Sequence, residues 1–137
     1  MSGSKSIVFV CLHGAAKSVL AAADFQRLAT ERGLDLLAEA FGTEPDPQIA
    51  SEVVDALRAE GLDLSHRRPR RVTREATTAA ARVVTFGCDL GEATPAGVPV
   101  ERWDDVPAVS ENLPAARAVI RQHLDRLVAD CAADRLR

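Results

Sequence analysis

A single early thiol, Cys11, stands at the seam between an apolar run and a small-residue loop in the stretch "IVFVCLHGAAKSVL", followed at close range by Lys17 and Ser18. A loop rich in glycine and alanine between a strand and a helix leaves its backbone N–H groups free to converge on one point. The helix N-terminus adds partial positive charge, so the loop is a cradle for a phosphate-like oxyanion. A positive field of this kind favours the thiolate form of a cysteine, which is the nucleophilic form. Lys17 would add a full positive charge beside the anion, and the Ser18 hydroxyl could donate a hydrogen bond to the thiolate or cap the helix. The plain alternative for the same residues is a small buried cysteine at a strand end, with Gly14 as an ordinary turn residue.

Either use requires elements that hold the loop in place, and the chain alternates them. Ile7 to Val10 reads as a strand. Ala16 to Arg32 reads as a helix with Val19, Leu20, Ala23 and Leu28 at helical spacing, closed by Gly33. A second strand is expected over Leu36 to Phe41, ended by Gly42. Pro47 is then expected to open a helix carrying Ile49, Val53, Val54 and Leu57, closed by Gly61. Ala80 to Phe86 reads as a third strand, Val98 to Trp103 as a short fourth, and Pro114 to about Asp134 as a long terminal helix with a short helix near Arg74. Strand and helix in alternation predict an α/β fold, a parallel sheet flanked by helices with right-handed crossovers. Ligands in such folds bind at the carboxyl ends of the strands, where Cys11 falls.

Composition narrows the function classes. A chain of 137 residues with 47% hydrophobic content can bury one core and is most simply a single domain, residues 1 to 137. A net charge of −3 supplies no bulk basic field for nucleic acid or anionic lipid. No apolar stretch approaches a membrane span and the first residues do not resemble a signal peptide, so a cytoplasmic protein without membrane or nucleic-acid partners is expected. The three cysteines, Cys11, Cys88 and Cys131, fit neither a disulfide scaffold nor a metal-ligand pattern; free thiols, no metal site and no bound cofactor are expected.

The ordered motifs resemble a known family. Cys11-Leu-His-Gly-Ala-Ala-Lys17-Ser18 after a strand is similar to the cysteine, five residues, arginine, serine loop of the low-molecular-weight protein tyrosine phosphatase superfamily, which includes the thioredoxin-coupled arsenate reductases. Phe41-Gly-Thr-Glu-Pro-Asp-Pro47 and Gly61-Leu-Asp-Leu-Ser65 resemble later elements of the same family. Val83-Val-Thr-Phe-Gly-Cys88 with Arg102-Trp103-Asp104-Asp105-Val106-Pro107-Ala108 resembles the arsenate reductase branch, and the absence of tyrosine sets the chain apart from the phosphatases. The resemblance implies a three-layer sandwich, a four-stranded parallel sheet with helices on both faces. It implies that Cys11 attacks a tetrahedral oxyanion held by the backbone of Leu12, His13, Gly14, Ala15, Ala16, Lys17 and Ser18. Asp104 or Asp105 would match the general acid of the phosphatases, and Cys88 the second thiol that releases arsenite in the reductases. The implied partners are arsenate, phosphate or a phosphomonoester, and an external thiol reductant: thioredoxin, glutaredoxin or a low-molecular-weight thiol.

Three features depart from the family pattern. Lys17 replaces the loop arginine, keeping the charge but losing the planar fork that grips two oxygens. Val106 separates Asp105 from Pro107, leaving two candidates for the acid. No third cysteine follows Cys88 within "DLGEATP", and Cys131 lies far along the terminal helix. These departures keep three readings open: arsenate reductase, phosphomonoester or protein tyrosine phosphatase, and a catalytically weak oxyanion binder. Among the remaining candidates, His13 is expected at the pocket rim and Trp103 in the core. The run His66-Arg-Arg-Pro-Arg-Arg71 is expected in solvent, and its arginines are candidates to supplement Lys17 at the oxyanion.

Overall fold

The structure, a computed structural model, describes residues 5 to 135. Its elements are β1 (Lys5–Cys11), α1 (Lys17–Glu31), β2 (Leu36–Gly42), α2 (Ser51–Arg58), α3 (Arg74–Ala79), β3 (Arg82–Thr85), β4 (Val100–Arg102) and α4 (Leu113–Arg135). The strands form one sheet in the order β2-β1-β3-β4, and every neighbouring pair is parallel. β1 is central and buried on both faces, which is why its apolar run shows no alternation. Ile7, Phe9 and Cys11 join the core built with α1, α2 and α4, whereas Val8 and Val10 join a smaller core with Val83 and the α3 side. The fold is therefore the expected three-layer α/β sandwich, a four-stranded parallel sheet covered on both faces.

The strand order places the site. From β1 the chain steps outward to β2, then crosses back over β1 to β3, so the loops leaving β1 and β3 diverge and open a crevice at their carboxyl ends. Phe9 packs against Phe25 of α1 and against Trp103, each at 5.9 Å between ring centroids, which ties β1, α1 and the segment after β4 together. Trp103 is 1% exposed, the core role expected of it.

Most boundaries agree with the sequence reading. Gly33 closes α1 at φ 68, with Gly33 N–H donating to Thr30 and Leu34 N–H to Ala29, a paired-bond cap that needs the left-handed conformation. The short helix near Arg74 starts at Thr73, whose hydroxyl accepts from Ala76 N–H at 3.1 Å. The third and fourth strands are shorter than expected, Arg82–Thr85 and Val100–Arg102. The helix expected from Pro47 begins only at Ser51. The reason is tertiary: Asp46 and Ala50 N–H groups donate to His13 and Ala15 carbonyls, at 3.0 Å each, so the segment between them is held in a bend against the Cys11 loop.

Candidate active site

The loop from Leu12 to Ala16 is built by its neighbours. Thr43, Glu44, Asp46 and Ala50 donate backbone N–H groups to the carbonyls of Cys11, Leu12, His13 and Ala15, at 2.7 to 3.2 Å. With the Leu12, His13 and Ala15 carbonyls committed to that strap, the loop amides are the free side. Among the described residues, no backbone N–H from Leu12 to Val19 donates to a protein acceptor. α1 adds its own open terminus, since Ala16 caps it without a side-chain hydrogen bond and no acidic residue lies in its first turn. Unpaired amides around a positive helix end make an anion site.

Two glycines make this geometry possible. Gly14 has φ 61, and a Cβ built on it would stand 2.7 Å from the Gly42 nitrogen. A Cβ on Gly42 would stand 2.6 Å from the Gly14 nitrogen. The loop and the end of β2 thus meet backbone to backbone, and neither position admits a side chain. Gly14 is more than the ordinary turn residue of the plain reading.

Cys11 is 7% exposed and its Sγ lies 3.1 Å from the Oγ of fully buried Ser18. As a thiol Cys11 donates to that hydroxyl; as a thiolate it accepts from it. The thiol lines a cavity of about 270 Å³ whose wall includes Leu12, His13 and Lys17 from the loop side. The wall also includes Asp46, Glu52 and Ser110, none of which sequence reasoning assigned a role. Asp46 and Glu52 were hidden because they flank the strap, which reads locally as a helix start. Their proximity comes from the backbone bonds to the loop.

Cys88 comes from the neighbouring strand end. Phe86 N–H donates to Val10 carbonyl at 3.0 Å, extending the β1–β3 pairing, and the Cys88 thiol donates to the same carbonyl at 3.4 Å. The second thiol therefore sits against the residue that precedes Cys11. Burial pushes the Cys88 thiol up, while a backbone hydrogen bond from Phe86 opposes the rise and the charge of Cys11 adds to it. Cys131, by contrast, is buried on α4, where burial likewise pushes its thiol up.

The candidate acids are placed elsewhere. Asp104 pairs with Arg102 at 3.0 Å, and Asp105 bonds His123 of α4 at 2.8 Å; neither lines the Cys11 cavity. The hydrogen bond from His123 holds the Asp105 carboxyl below the usual range, which favours a carboxylate over an acid. The Trp103 ring stacks on His123 at 4.7 Å, which holds that imidazole beside Asp105. No arginine of the 66 to 71 run lines this cavity either. Arg71 donates to the Thr43 carbonyl at 2.8 Å, and Arg70 lies 4.5 Å over the Phe41 ring, so these two brace the strap and the end of β2. Among the described residues there is no metal-ligand cluster, and no helix is long and apolar enough to cross a membrane.

With fold and site in view, the chain belongs to the low molecular weight phosphotyrosine protein phosphatase family, which it matches over residues 6–102. A Halobacterium salinarum protein named "Putative arsenate reductase" is 34% identical over 97 residues, covering 69% of this chain and 68% of that one. Among solved structures, YfkJ from Bacillus subtilis superposes with a TM-score of 0.82 at 21% identity, covering 97% of this chain and 98% of its own. The Corynebacterium glutamicum thioredoxin-dependent arsenate reductase Cg_ArsC1' superposes with a TM-score of 0.71 at 24% identity, covering 93% of this chain and 63% of its own. These two structures share the fold.

Proposed function

We propose that the protein is a cysteine-thiolate enzyme acting on a tetrahedral oxyanion, and that it reduces arsenate to arsenite through a Cys11 adduct. The observation that carries this reading is the Cys88 thiol, 3.4 Å from the carbonyl of the residue before Cys11. In the first step the Cys11 thiolate attacks the arsenic of dihydrogen arsenate; with one proton taken up, an S–As bond forms, an As–O bond breaks and water leaves. In the second step the Cys88 thiol attacks the Cys11 sulfur. The S–As bond breaks with its electron pair going to arsenic, the Cys88 proton passes to an arsenic-bound oxygen, and dihydrogen arsenite departs. Arsenic falls from the pentavalent to the trivalent state while two thiols become one disulfide.

The free amides of Leu12, His13, Gly14, Ala15, Ala16, Lys17 and Ser18 hold the oxyanion, Lys17 supplies charge, and the Ser18 hydroxyl steadies the Cys11 thiolate. Neither Asp104 nor Asp105 is assigned the acid role, because neither lines the Cys11 cavity and each pairs with a neighbouring basic side chain. With Cys131 buried on α4, the Cys11–Cys88 disulfide is returned directly by an external thiol such as thioredoxin, glutaredoxin or a low-molecular-weight thiol. Such a cycle suits the reducing cytoplasm. Phosphomonoester hydrolysis through a cysteinyl-phosphate is the second reading, favoured by the carboxylates of Asp46 and Glu52 at the cavity, where a departing alcohol would need a proton.

The test is a free-thiol count on the reduced protein before and after arsenate, with peptide mapping. Loss of two thiols mapped to Cys11 and Cys88, absent with phosphate, is the expected result. Unchanged thiols with steady release of phosphate from an aryl phosphate would replace the reductase reading by the phosphatase one.

A further inference from the structure

The departing oxygen of the first step must be protonated, and the two aspartates expected to do this are engaged elsewhere. The cavity wall itself holds a different arrangement. His13 Nδ1 lies 3.2 Å from the Asp46 carboxylate and 3.4 Å from the Glu44 backbone carbonyl. Both partners are acceptors, so Nδ1 must carry the hydrogen that it donates. That fixes the ring: Nε2 is left as the working nitrogen, and among the described residues it has no partner. The Asp46 backbone is itself restrained, because its N–H donates to the His13 carbonyl at 3.0 Å and Pro47 limits its conformation. Side chain and main chain thus tie the two residues to each other in both directions, in the wall of the cavity that Cys11 also lines. A carboxylate that orients one imidazole nitrogen and leaves the other free is an arrangement for moving a proton.

We propose that His13, oriented by Asp46, is the proton donor to the oxygen that leaves the Cys11-bound oxyanion. This rests on the oxyanion reading above and deepens it. The imidazolium gives its Nε2 proton to the departing oxygen as the S–As bond forms, so that water leaves rather than hydroxide. The neutral ring then recovers its proton from solvent, through the exposed edge of a side chain that is 54% accessible. Asp46 is a positioning residue in this scheme: it keeps its carboxylate and holds the ring. The other titratable or charged groups around the imidazole are Cys11 and Lys17 from the loop and α1, and Glu44 and Glu52 from the strap and α2. A donor carried by the loop itself is also suited to a site whose lysine cannot grip two oxygens at once, since it supplies a second directed N–H.

The experiment uses the reduced full-length protein and arsenate, following the rate of thiol loss at saturating and subsaturating anion from mildly acid to mildly alkaline pH. His13→Gln should lower the saturating rate by about 10²-fold or more with a much smaller change in KM. The pH profile of the rate should differ between the wild type and the variant, whose glutamine cannot donate a proton. Imidazole added to His13→Ala should restore part of the rate, and Asp46→Asn should lower the rate while leaving far-ultraviolet circular dichroism unchanged. A His13→Gln protein that keeps the wild-type rate and pH profile overturns the assignment while leaving the oxyanion reading standing. A wild-type protein that loses no thiol to arsenate and releases no phosphate from an aryl phosphate overturns both.

Discussion

Two clusters of charge in this molecule are built on opposite plans. Between α1, the end of α2 and α4, Arg117 donates to both oxygens of Asp24, at 2.7 and 3.0 Å, and to both oxygens of Glu60; Arg121 adds a further bond to Asp24 at 3.2 Å. Asp24 is 1% exposed and no buried side-chain polar atom among the described residues lacks a partner. At the Cys11 loop the reverse holds: a row of amides, a helix terminus, Lys17 and one imidazole nitrogen are left without protein partners among the described residues. The difference separates structure from function. Where every charge is matched, the interactions are spent on holding helices together; where donors are left open and fixed from behind, the free energy is available to a ligand.

The contrast breaks most forcefully at the knot. Arg117→Ala leaves the Asp24 carboxylate buried without its main partner, and is expected to cost about 3–5 kcal/mol of stability. Urea unfolding measures the loss, and phosphate affinity of the remaining folded protein should be unchanged. Replacing Asp24 and Arg117 together by leucine should recover most of that loss, because no fully buried charge is left unpaired and Glu60 and Arg121, which lose these partners, are partly exposed.

At the loop, Gly14→Ala meets both an unfavourable φ and the Gly42 backbone at 2.7 Å. It should cost about 1–3 kcal/mol and, unlike the Arg117 change, lower phosphate affinity as well, since it displaces the amides. Calorimetric titration alongside unfolding distinguishes the two effects. Lys17→Ala sharpens the contrast further: about tenfold weaker anion binding, or about 1.4 kcal/mol, with stability altered by no more than about 0.5 kcal/mol. Lys17→Arg should instead raise turnover by restoring the two-pronged grip.

The smallest effect is expected from acid. Burial raises the Asp24 carboxyl, but the hydrogen bonds and charge of Arg117 and then Arg121 outweigh it, and the net displacement is downward. Glu60 is lowered chiefly by its hydrogen bond from Arg117. A carboxyl lowered on folding contributes stability that is complete above its unfolded value and fades as pH falls through its folded one. Unfolding free energy should therefore decline below about pH 4, and the double leucine variant should decline less steeply.

Much of the fold was legible because its signals are local. The β1 apolar run, the helical spacing of Val19 and Leu20, and Gly33 as a stop each depend on residues near in sequence, and the elements formed where these pointed. Cys11, Lys17 and Ser18 could be singled out for the same reason, since one strand-loop-helix unit presents them together. The strap was misjudged because Pro47 offers a helix start locally, while the competing bonds come from His13 and Ala15, far back in the chain.

The sequence by itself determined the type of unit: a thiol at the end of a buried parallel strand, followed by a loop and helix end suited to an anion. Only the tertiary structure decided which other groups share that cavity. The aspartates after Trp103 turned to Arg102 and His123, whereas Asp46 came to His13 through main-chain bonds that no local pattern announces. The physical reason is range. Propensity and periodicity act over a few residues, but the choice among several carboxylates is made by which segments pack together, and here two glycines meeting at Gly14 and Gly42 set that packing.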